Sequence, residues 1–147
     1  MANQAANELN WNSRLPGWMH FVLKFAGVYN ILAGASMMVF YHEGYKVLDV
    51  AKPELSLPIQ LVGLLVLLFG IGYLIVDRMP MLNRNVLLLG MMSKTLGPLL
   101  ALLFIFRGEL PVWMLIVLFV ADTIYIYPFF FAYKLIGEKQ EELLKQS

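Results

Sequence analysis

The chain has 147 residues, of which 60% are hydrophobic and only 14% are charged, and its mean hydropathy is +0.70. A soluble domain usually carries about 25% charged residues, so this composition argues against a soluble globular domain. The net charge of +1 gives no basic surface for binding nucleic acid. The absence of cysteine excludes disulfides, thiol catalysis and thiolate metal sites.

Four apolar segments follow one another along the chain, and each has about the length that a helix needs to cross a bilayer. They predict membrane spans at about residues 18–41, 59–76, 83–106 and 110–133. Tight turns separate the second, third and fourth spans, at Asp77-Arg78-Met79-Pro80 and Arg107-Gly108-Glu109-Leu110-Pro111. We therefore expect one all-α membrane domain, an integral four-helix bundle with up-down-up-down topology.

Polar segments flank and connect these spans. Residues 1–16 form a polar N-terminal segment, and residues 134–147 form a charged tail that we expect to be a solvated helical extension of the fourth span. Deleting the tail from Glu138 onward should then leave the membrane domain folded. The linker 42–58 is polar but contains a short amphipathic piece that is expected to lie at the membrane interface. Its apolar residues are Tyr45, Val47, Leu48 and Val50.

The distribution of basic residues predicts the orientation of the chain. An even number of spans places both termini on one side of the membrane, and cytoplasmic loops carry the excess of Lys and Arg. Seven basic residues near span ends lie on the side of the termini and three on the other, so both termini are expected in the cytoplasm. The seven are Arg14, Lys24, Arg78, Arg84, Lys134, Lys139 and Lys145, and the three are Lys46, Lys52 and Arg107.

Two charged residues lie near the middle of apolar spans, Lys94 in the third and Asp122 in the fourth. A charge at the bilayer centre costs about 2.5 kcal/mol on insertion scales and more in simulations. One cation and one anion at similar depth therefore predict a pair that faces the interior of the bundle. Asn30 lies about as far into the first span, so the three side chains could meet at one level.

The helix faces that carry these residues are rich in small side chains. Small residues let helices approach closely in lipid, so each such stripe predicts a helix–helix contact. The third span has the stripe Gly90, Lys94, Gly97 and Ala101, the first has Gly27, Asn30 and Gly34, and the second has Gly63, Gly70 and Asp77, with Tyr73 between the last two. On the fourth span, Asp122, Tyr125 and Phe129 share a face with Leu115 and Phe119.

Two roles remain open for this polar cluster. It could be purely structural, fixing the register and rotation of the helices, or it could form a small site for a lipid head group, a quinone or an ion, or a proton relay. The candidate residues for binding or relay are Asn30, Tyr73, Lys94, Asp122 and Tyr125. No catalytic residues, metal ligands or cofactor are predicted, because the two histidines lie near opposite ends of the first span and no catalytic motif is present.

Four stretches between Phe25 and Tyr133, together with the single residue Asp122, place glycine, proline and polar residues in a characteristic order. They are Phe25-Ala26-Gly27-Val28-Tyr29-Asn30; Gly70-Ile71-Gly72-Tyr73 to Asp77-Arg78; Gly90-Met91-Met92-Ser93-Lys94-Thr95-Leu96-Gly97-Pro98; Arg107-Gly108-Glu109-Leu110-Pro111; and Asp122. Together they resemble a family of small bacterial four-helix membrane proteins that has no settled function, and the third stretch is the most specific. The overall shape is also similar to the wider DoxX-like group.

The resemblance implies that Asn30, Tyr73, Lys94 and Asp122 belong to a shared pattern, and that the protein lies in the inner, cytoplasmic membrane of a bacterium. It implies no catalytic role. Some members of the family carry an alkyl hydroperoxide reductase label, but without cysteine a peroxiredoxin-type reaction is not possible here. The sequence also departs from the family pattern at the second hairpin, where Leu82-Asn83-Arg84-Asn85 replaces a His-Trp-Pro stretch.

These features favour an integral membrane protein without enzymatic chemistry of its own. We expect an accessory or ligand-binding subunit built around the polar cluster, and the alternative is a transporter or proton-relay component that uses the same residues. The expected partners are the lipid bilayer and either a larger membrane complex or further copies of the chain. Nucleic acid is not expected as a partner.

Overall fold

The structure is a computed structural model that describes residues 16–145, apart from the side chains of residues 143 and 144. The described part is helical and contains no strand. The helices are α1 (Gly17–Val39), α2 (Tyr41–Leu48), α3 (Leu57–Arg78), α4 (Pro80–Phe106), α5 (Met114–Leu118) and α6 (Ile124–Leu144), and a π-helical turn (Phe119–Thr123) joins α5 to α6. The predicted polar segment 1–16 lies almost wholly outside the described residues.

Four helices are long and apolar enough to cross a membrane, which confirms the predicted all-α fold. They are Gly17–Val39, Leu57–Arg78, Pro80–Phe106 and the continuous run Met114–Glu142. α3 and α4 are separated by one residue, Met79, whose extended backbone reverses the chain before Pro80 starts the next helix. Between α4 and α5 the chain turns at Gly108, whose φ of 74° suits glycine because it has no Cβ.

Glycine stripes hold α1 and α3 together, and this is the most extensive helix contact in the bundle. Gly27 packs against the backbone of Gly70, and Gly34 packs against the backbone of Gly63. Because both pairs leave no room for a Cβ, the two backbones approach as closely as small residues allow. The stripes predicted on the first and second spans thus face each other in an antiparallel pair.

The remaining helices continue the antiparallel order. Val86 of α4 packs on Gly72 of α3, and α6 packs chiefly along α4. α6 reaches α1 through aromatic rings, since Tyr125 stacks at 6.5 Å from Phe25 and at 6.2 Å from Tyr29, measured between ring centroids. α1, α3, α4 and the α5–α6 span therefore follow one another around the bundle, and the contact between the first and the last is the loosest.

The hydrophobic core occupies only the half of the bundle that is nearer the termini. It contains Met19, Leu23, Ala26, Tyr73, Val76, Met81, Leu87, Tyr125, Phe129, Ala132 and Ile136. In the other half, no residue of α4 after Lys94 is buried, and neither is any residue from 111 to 124. The bundle is thus tightly packed on one side of Lys94 and open on the other. We call these two parts the packed half and the open half.

The open half contradicts the predicted contact stripe on the third span. Gly90 is buried, and a Cβ there would clash with the ring of Tyr73, as expected for a contact position. Gly97 is exposed, and a Cβ there would meet no atom within 4 Å. The stripe prediction is therefore wrong at Gly97, because no atom of the described chain covers α4 at that position.

The helix face predicted for the fourth span is also wrong for the residues that precede Asp122. Tyr125 and Phe129 are buried, but Leu115 and Phe119 are 39% and 57% exposed. The π-helical turn Phe119–Thr123 lies between the two pairs, and its Ile124 N–H bonds back to the carbonyl of Phe119. One extra residue rotates the preceding helix by about 100° relative to a regular α-helix. The residues before Asp122 therefore leave the face that the α-helical spacing assigned to them.

The C-terminal extension is helical as expected, but one side of it is docked rather than solvated. Ile136 and Gly137 are buried, and the Gln140 amide donates a 2.5 Å hydrogen bond to the carbonyl of Met81. Arg84 donates to the carbonyl of Tyr133 at 2.9 Å and lies 3.8 Å from the centre of its ring. The expectation of a solvated extension failed because Tyr133, Ile136, Gly137 and Gln140 form one helical face that continues the α4 contact.

This docking predicts a measurable role for Gln140. Its side chain also accepts a hydrogen bond from Arg84 at 3.4 Å. Gln140→Ala should lower the free energy of unfolding by about 1 kcal/mol, as expected for the loss of a side-chain hydrogen bond. Denaturant unfolding in detergent would measure the change, with Glu141→Ala as the exposed control. Equal stability of both variants would mean that the hydrogen bonds of Gln140 do not contribute to folding.

Candidate functional site

Lys94 and Asp122 are in direct contact in the middle of the bundle. The Lys94 ammonium donates hydrogen bonds to Asp122 Oδ1 at 3.1 Å and to the backbone carbonyl of Ala121 at 3.0 Å. Lys94 is only 4% exposed. The carbonyl of Ala121 lies within the π-helical turn, where widened backbone geometry leaves carbonyls outside the regular hydrogen-bond pattern. Two oxygens of the same turn therefore hold the lysine.

Aromatic rings enclose the ammonium group. The centre of the Tyr125 ring is 4.8 Å from Lys94 Nζ, within the range of a cation–π interaction. Tyr125 in turn stacks on Tyr29 across the seam between α1 and α6, and it lies beside Phe129 at 6.0 Å between centroids. Phe129 makes an edge contact with Tyr73 at 4.8 Å. These rings separate the polar site from the packed half of the bundle.

The helix register brings Asn30 and Asp122 to the same depth. Tyr125 of α6 stacks on both Phe25 and Tyr29 of α1, so it lies at about the depth of residue 27 of α1. Because α1 and the fourth span are antiparallel, Asp122 lies three residues away in the direction of Asn30. The Asn30 side chain is on the buried face of α1, and the residue is 5% exposed.

Tyr73 reaches the same depth from the packed half. Its hydroxyl lies against Gly90, where a Cβ would be 2.5 Å from the oxygen. The contact of Gly72 with Val86 sets the register of α3 against α4, and the contact of Gly27 with Gly70 sets the register of α1 against α3. Together these registers place Gly90 of α4 at about the depth of Tyr29 on α1. The structure therefore brings the polar ends of four predicted site residues to one level, and only Lys94 and Asp122 are joined by a hydrogen bond. The fifth, Tyr125, lies beside them through its ring.

Several polar atoms at this level have no partner in the described chain. No hydrogen bond joins the Asn30 amide or the Tyr73 hydroxyl to another side chain or backbone group of residues 16–145. The ammonium of Lys94 has three N–H donors, and two of them are used. Buried polar groups are normally satisfied, and in a bilayer an unsatisfied group costs several kcal/mol. These groups are therefore available to bind a polar partner.

Asp122 borders the open half of the bundle. Its side chain is 31% exposed, compared with 5% for Lys94. Only Oδ1 accepts the lysine, and Oδ2 accepts no hydrogen bond from residues 16–145. The site is thus closed by Lys94 and the aromatic rings on one side and is accessible next to Asp122 on the other.

A large apolar groove lies in the open half. It has a volume of about 610 Å³ and is formed between the end of α1, α2 and the start of the fourth span. Its lining includes Met37, Phe40, Val47, Trp113 and Val117. Val117 is five residues before Asp122, so the inner end of the groove is about 7 Å from the carboxylate along the helix axis. The amphipathic helix predicted in the linker is α2, and it forms the outer wall of this groove.

A second ionisable cluster lies where α1 begins and α3 ends. The sequence analysis did not predict this contact. His20 Nδ1 is 2.7 Å from Asp77 Oδ1, and Lys24 Nζ is 3.8 Å from Asp77 Oδ2. Asp77 is only 7% exposed. The glycine stripes could have indicated this contact, since pairing Gly27 with Gly70 brings residues 20 and 77 together. His42 lies in α2, beyond the other end of α1, and its Nδ1 is 2.9 Å from Lys52 Nζ.

The described residues contain no group of three or more His, Asp and Glu side chains that could hold a metal ion. No protein-family model matches the chain, and neither a curated protein nor a solved structure matches it. The class of this protein is therefore inferred from the fold and the four apolar helices by themselves. They indicate a small helical protein of the multi-pass membrane type.

Proposed function

We propose that this protein is a ligand-binding or accessory subunit of the bacterial inner membrane, with its site formed by Asn30, Tyr73, Lys94, Asp122 and Tyr125. One observation carries the proposal. Asn30 is 5% exposed and Tyr73 is 1% exposed, and neither the Asn30 amide nor the Tyr73 hydroxyl has a hydrogen-bond partner in the described chain. A purely structural cluster would satisfy its members, whereas a binding site leaves donors and acceptors for its ligand.

The charges of the site fit an intramembrane ion pair. An isolated Lys or Asp at this depth would carry the full cost of a charge in hydrocarbon. In contact at 3.1 Å, Lys94 and Asp122 compensate each other, and the Ala121 carbonyl and the Tyr125 ring stabilise the cation further. The pair has no net charge, so an uncharged polar group is the favoured ligand.

The open half supports the accessory part of the proposal. A carboxylate that is one third exposed in the bilayer needs cover, and at Gly97, beyond Lys94 on α4, an added Cβ would meet no atom of the described chain within 4 Å. A helix of a larger membrane complex, or of a second copy of this chain, would supply that cover.

Transport or proton relay is the second candidate, and the His20–Asp77 contact favours it. Tyr73 and Asp77 lie one turn apart on α3, so ionisable groups occur at two depths of the same bundle with a tyrosine between them. Leu23, Val76 and Phe129 fill the packed half without exposed surface. A relay would have to pass this dry core, and for that reason we place it second.

Native mass spectrometry of the protein in lipid nanodiscs tests the binding proposal. We expect a retained small molecule on the native protein and its loss from Asn30→Leu, because the variant removes a buried amide that has no hydrogen-bond partner in the described chain. Asn85→Leu is the matched control, since Asn85 is an exposed asparagine of α4. Proton flux in liposomes, abolished by Asp122→Asn, would favour the relay. An empty native protein without flux would contradict both candidates.

The orientation of the chain is a separate prediction. If the excess of basic residues decides it, reporter fusions at Ser147 and in the linker near Lys52 should report opposite sides of the membrane, with Ser147 in the cytoplasm. The two positions are separated by an odd number of spans, so each fusion serves as the control for the other. A periplasmic Ser147 would overturn the orientation but not the site.

A further inference from the structure

The apolar groove and the polar site lie end to end in the open half of the bundle. The groove is about 610 Å³ in volume, within the usual range of about 300–1,000 Å³ for small-molecule pockets. Its inner end at Val117 is five residues from Asp122, and its outer end is formed by α2. Almost all of its lining is apolar, whereas the free donors and acceptors are concentrated at the level of Asn30.

We propose that this space binds one elongated lipophilic molecule, whose apolar body fills the groove and whose single uncharged hydroxyl or carbonyl group reaches Asn30 and the Lys94–Asp122 pair. This inference rests on the proposed ligand-binding function and specifies the class of ligand. It differs from binding of ordinary bilayer lipid, because a phospholipid places its polar end at the membrane surface and would leave Asn30 unsatisfied.

Three observations select this class. A charged head group would disturb a pair that is already balanced, with Lys94 and Asp122 in contact at 3.1 Å. A small polar solute would satisfy Asn30 but make no use of the apolar groove. An apolar molecule would fill the groove but leave the Asn30 amide and the third N–H of Lys94 without partners. A molecule with both parts occupies the groove and satisfies the polar groups together.

A tryptophan in the groove wall provides the readout. Trp113 lines the groove, whereas Trp18 lies at the opposite end of the bundle, in the first turn of α1. The probe is a long-chain primary alcohol brominated at its methyl end, because bromine quenches tryptophan fluorescence at short range. With Trp11 and Trp18 replaced by Phe, titration of the probe should quench Trp113 with a saturable curve. With Trp11 and Trp113 replaced instead, Trp18 should show only the gradual quenching of any residue exposed to lipid.

Two pairs of variants locate the two ends of the ligand. Asn30→Leu should weaken binding of the probe about tenfold, the loss expected for one buried hydrogen bond, and Asn85→Leu should not. Val117→Phe should abolish saturable quenching by filling the groove. Val120→Phe, the same change on an exposed position of the same span that does not line the groove, should leave it intact. The brominated alkane without the hydroxyl should bind about as weakly to the native protein as the alcohol binds to Asn30→Leu.

The outcomes separate this inference from the function on which it rests. Identical, non-saturating curves for Trp113 and Trp18 would overturn the inference, and so would equal binding by the Val117 and Val120 variants. If the quenching experiment fails but Asn30→Leu abolishes retention of a small molecule in nanodiscs, the proposed function stands with a small polar ligand. If neither experiment depends on Asn30, the function fails as well. Circular dichroism and gel filtration of each variant verify that it is folded.

Discussion

Lys94→Met and Asp122→Leu should each destabilise the protein strongly, and the double replacement should recover much of the loss. Each single change leaves a buried charge without its partner, and breaking a buried pair typically costs about 3–5 kcal/mol. Met and Leu together need no partner, so the double variant removes the desolvation penalty of both charges. Unfolding by a denaturing detergent, measured for all four proteins as a double-mutant cycle, gives the coupling free energy directly.

An exposed pair of the same residue types is the control for this cycle. Lys134 and Glu138 lie one turn apart on α6, with 3.8 Å between Nζ and Oε1 and more than half of each side chain exposed. Their replacement by Met and Leu should change stability by no more than about 1 kcal/mol. Additive destabilisation by the Lys94 and Asp122 variants would show that the two residues do not interact. A stable double variant that no longer retains its ligand would assign the pair to binding rather than to folding alone.

Gly70→Ala should destabilise the bundle by at least about 1–3 kcal/mol, the usual cost of overpacking. The added methyl group would meet the carbonyl of Gly27 and the amide of Ile31, which are backbone atoms and cannot move aside without separating α1 from α3. Gly34→Ala should behave in the same way, because its methyl group would meet the backbone of Gly63 and Leu67. Thermal unfolding followed by circular dichroism measures both changes.

Gly97→Ala is the matched control for these glycine variants. It makes the same substitution in the middle of a membrane helix, but the added Cβ meets nothing within 4 Å. Because Ala has a higher helix propensity than Gly, this variant should be as stable as the native protein or slightly more stable. Strong destabilisation by Gly97→Ala would mean that a partner or a second copy packs on the open face of α4, in agreement with the accessory role.

The sequence by itself determined the class, the four long apolar helices and the positions of Lys94 and Asp122 within them. Length and hydropathy suffice for the spans, because a helix is the simplest way to satisfy every backbone group in hydrocarbon. The same argument identified Asn30, Lys94 and Asp122 as residues that should avoid lipid, and the structure buries the first two and places the third against Lys94. Small-residue stripes also indicated the facing sides of α1 and α3.

Only the tertiary structure decided how these parts fit. The π-helical turn has no marker in the sequence, and its extra residue moved Leu115 and Phe119 off the face of Asp122. The contact between His20 and Asp77 depends on the register of two helices that are 57 positions apart. The division into a packed half and an open half, which exposes Gly97 and forms the groove at Trp113, depends on how whole helices are placed against one another. Periodicity reports which face of a helix is apolar or small, but the presence of a neighbour on that face is a property of the assembled bundle.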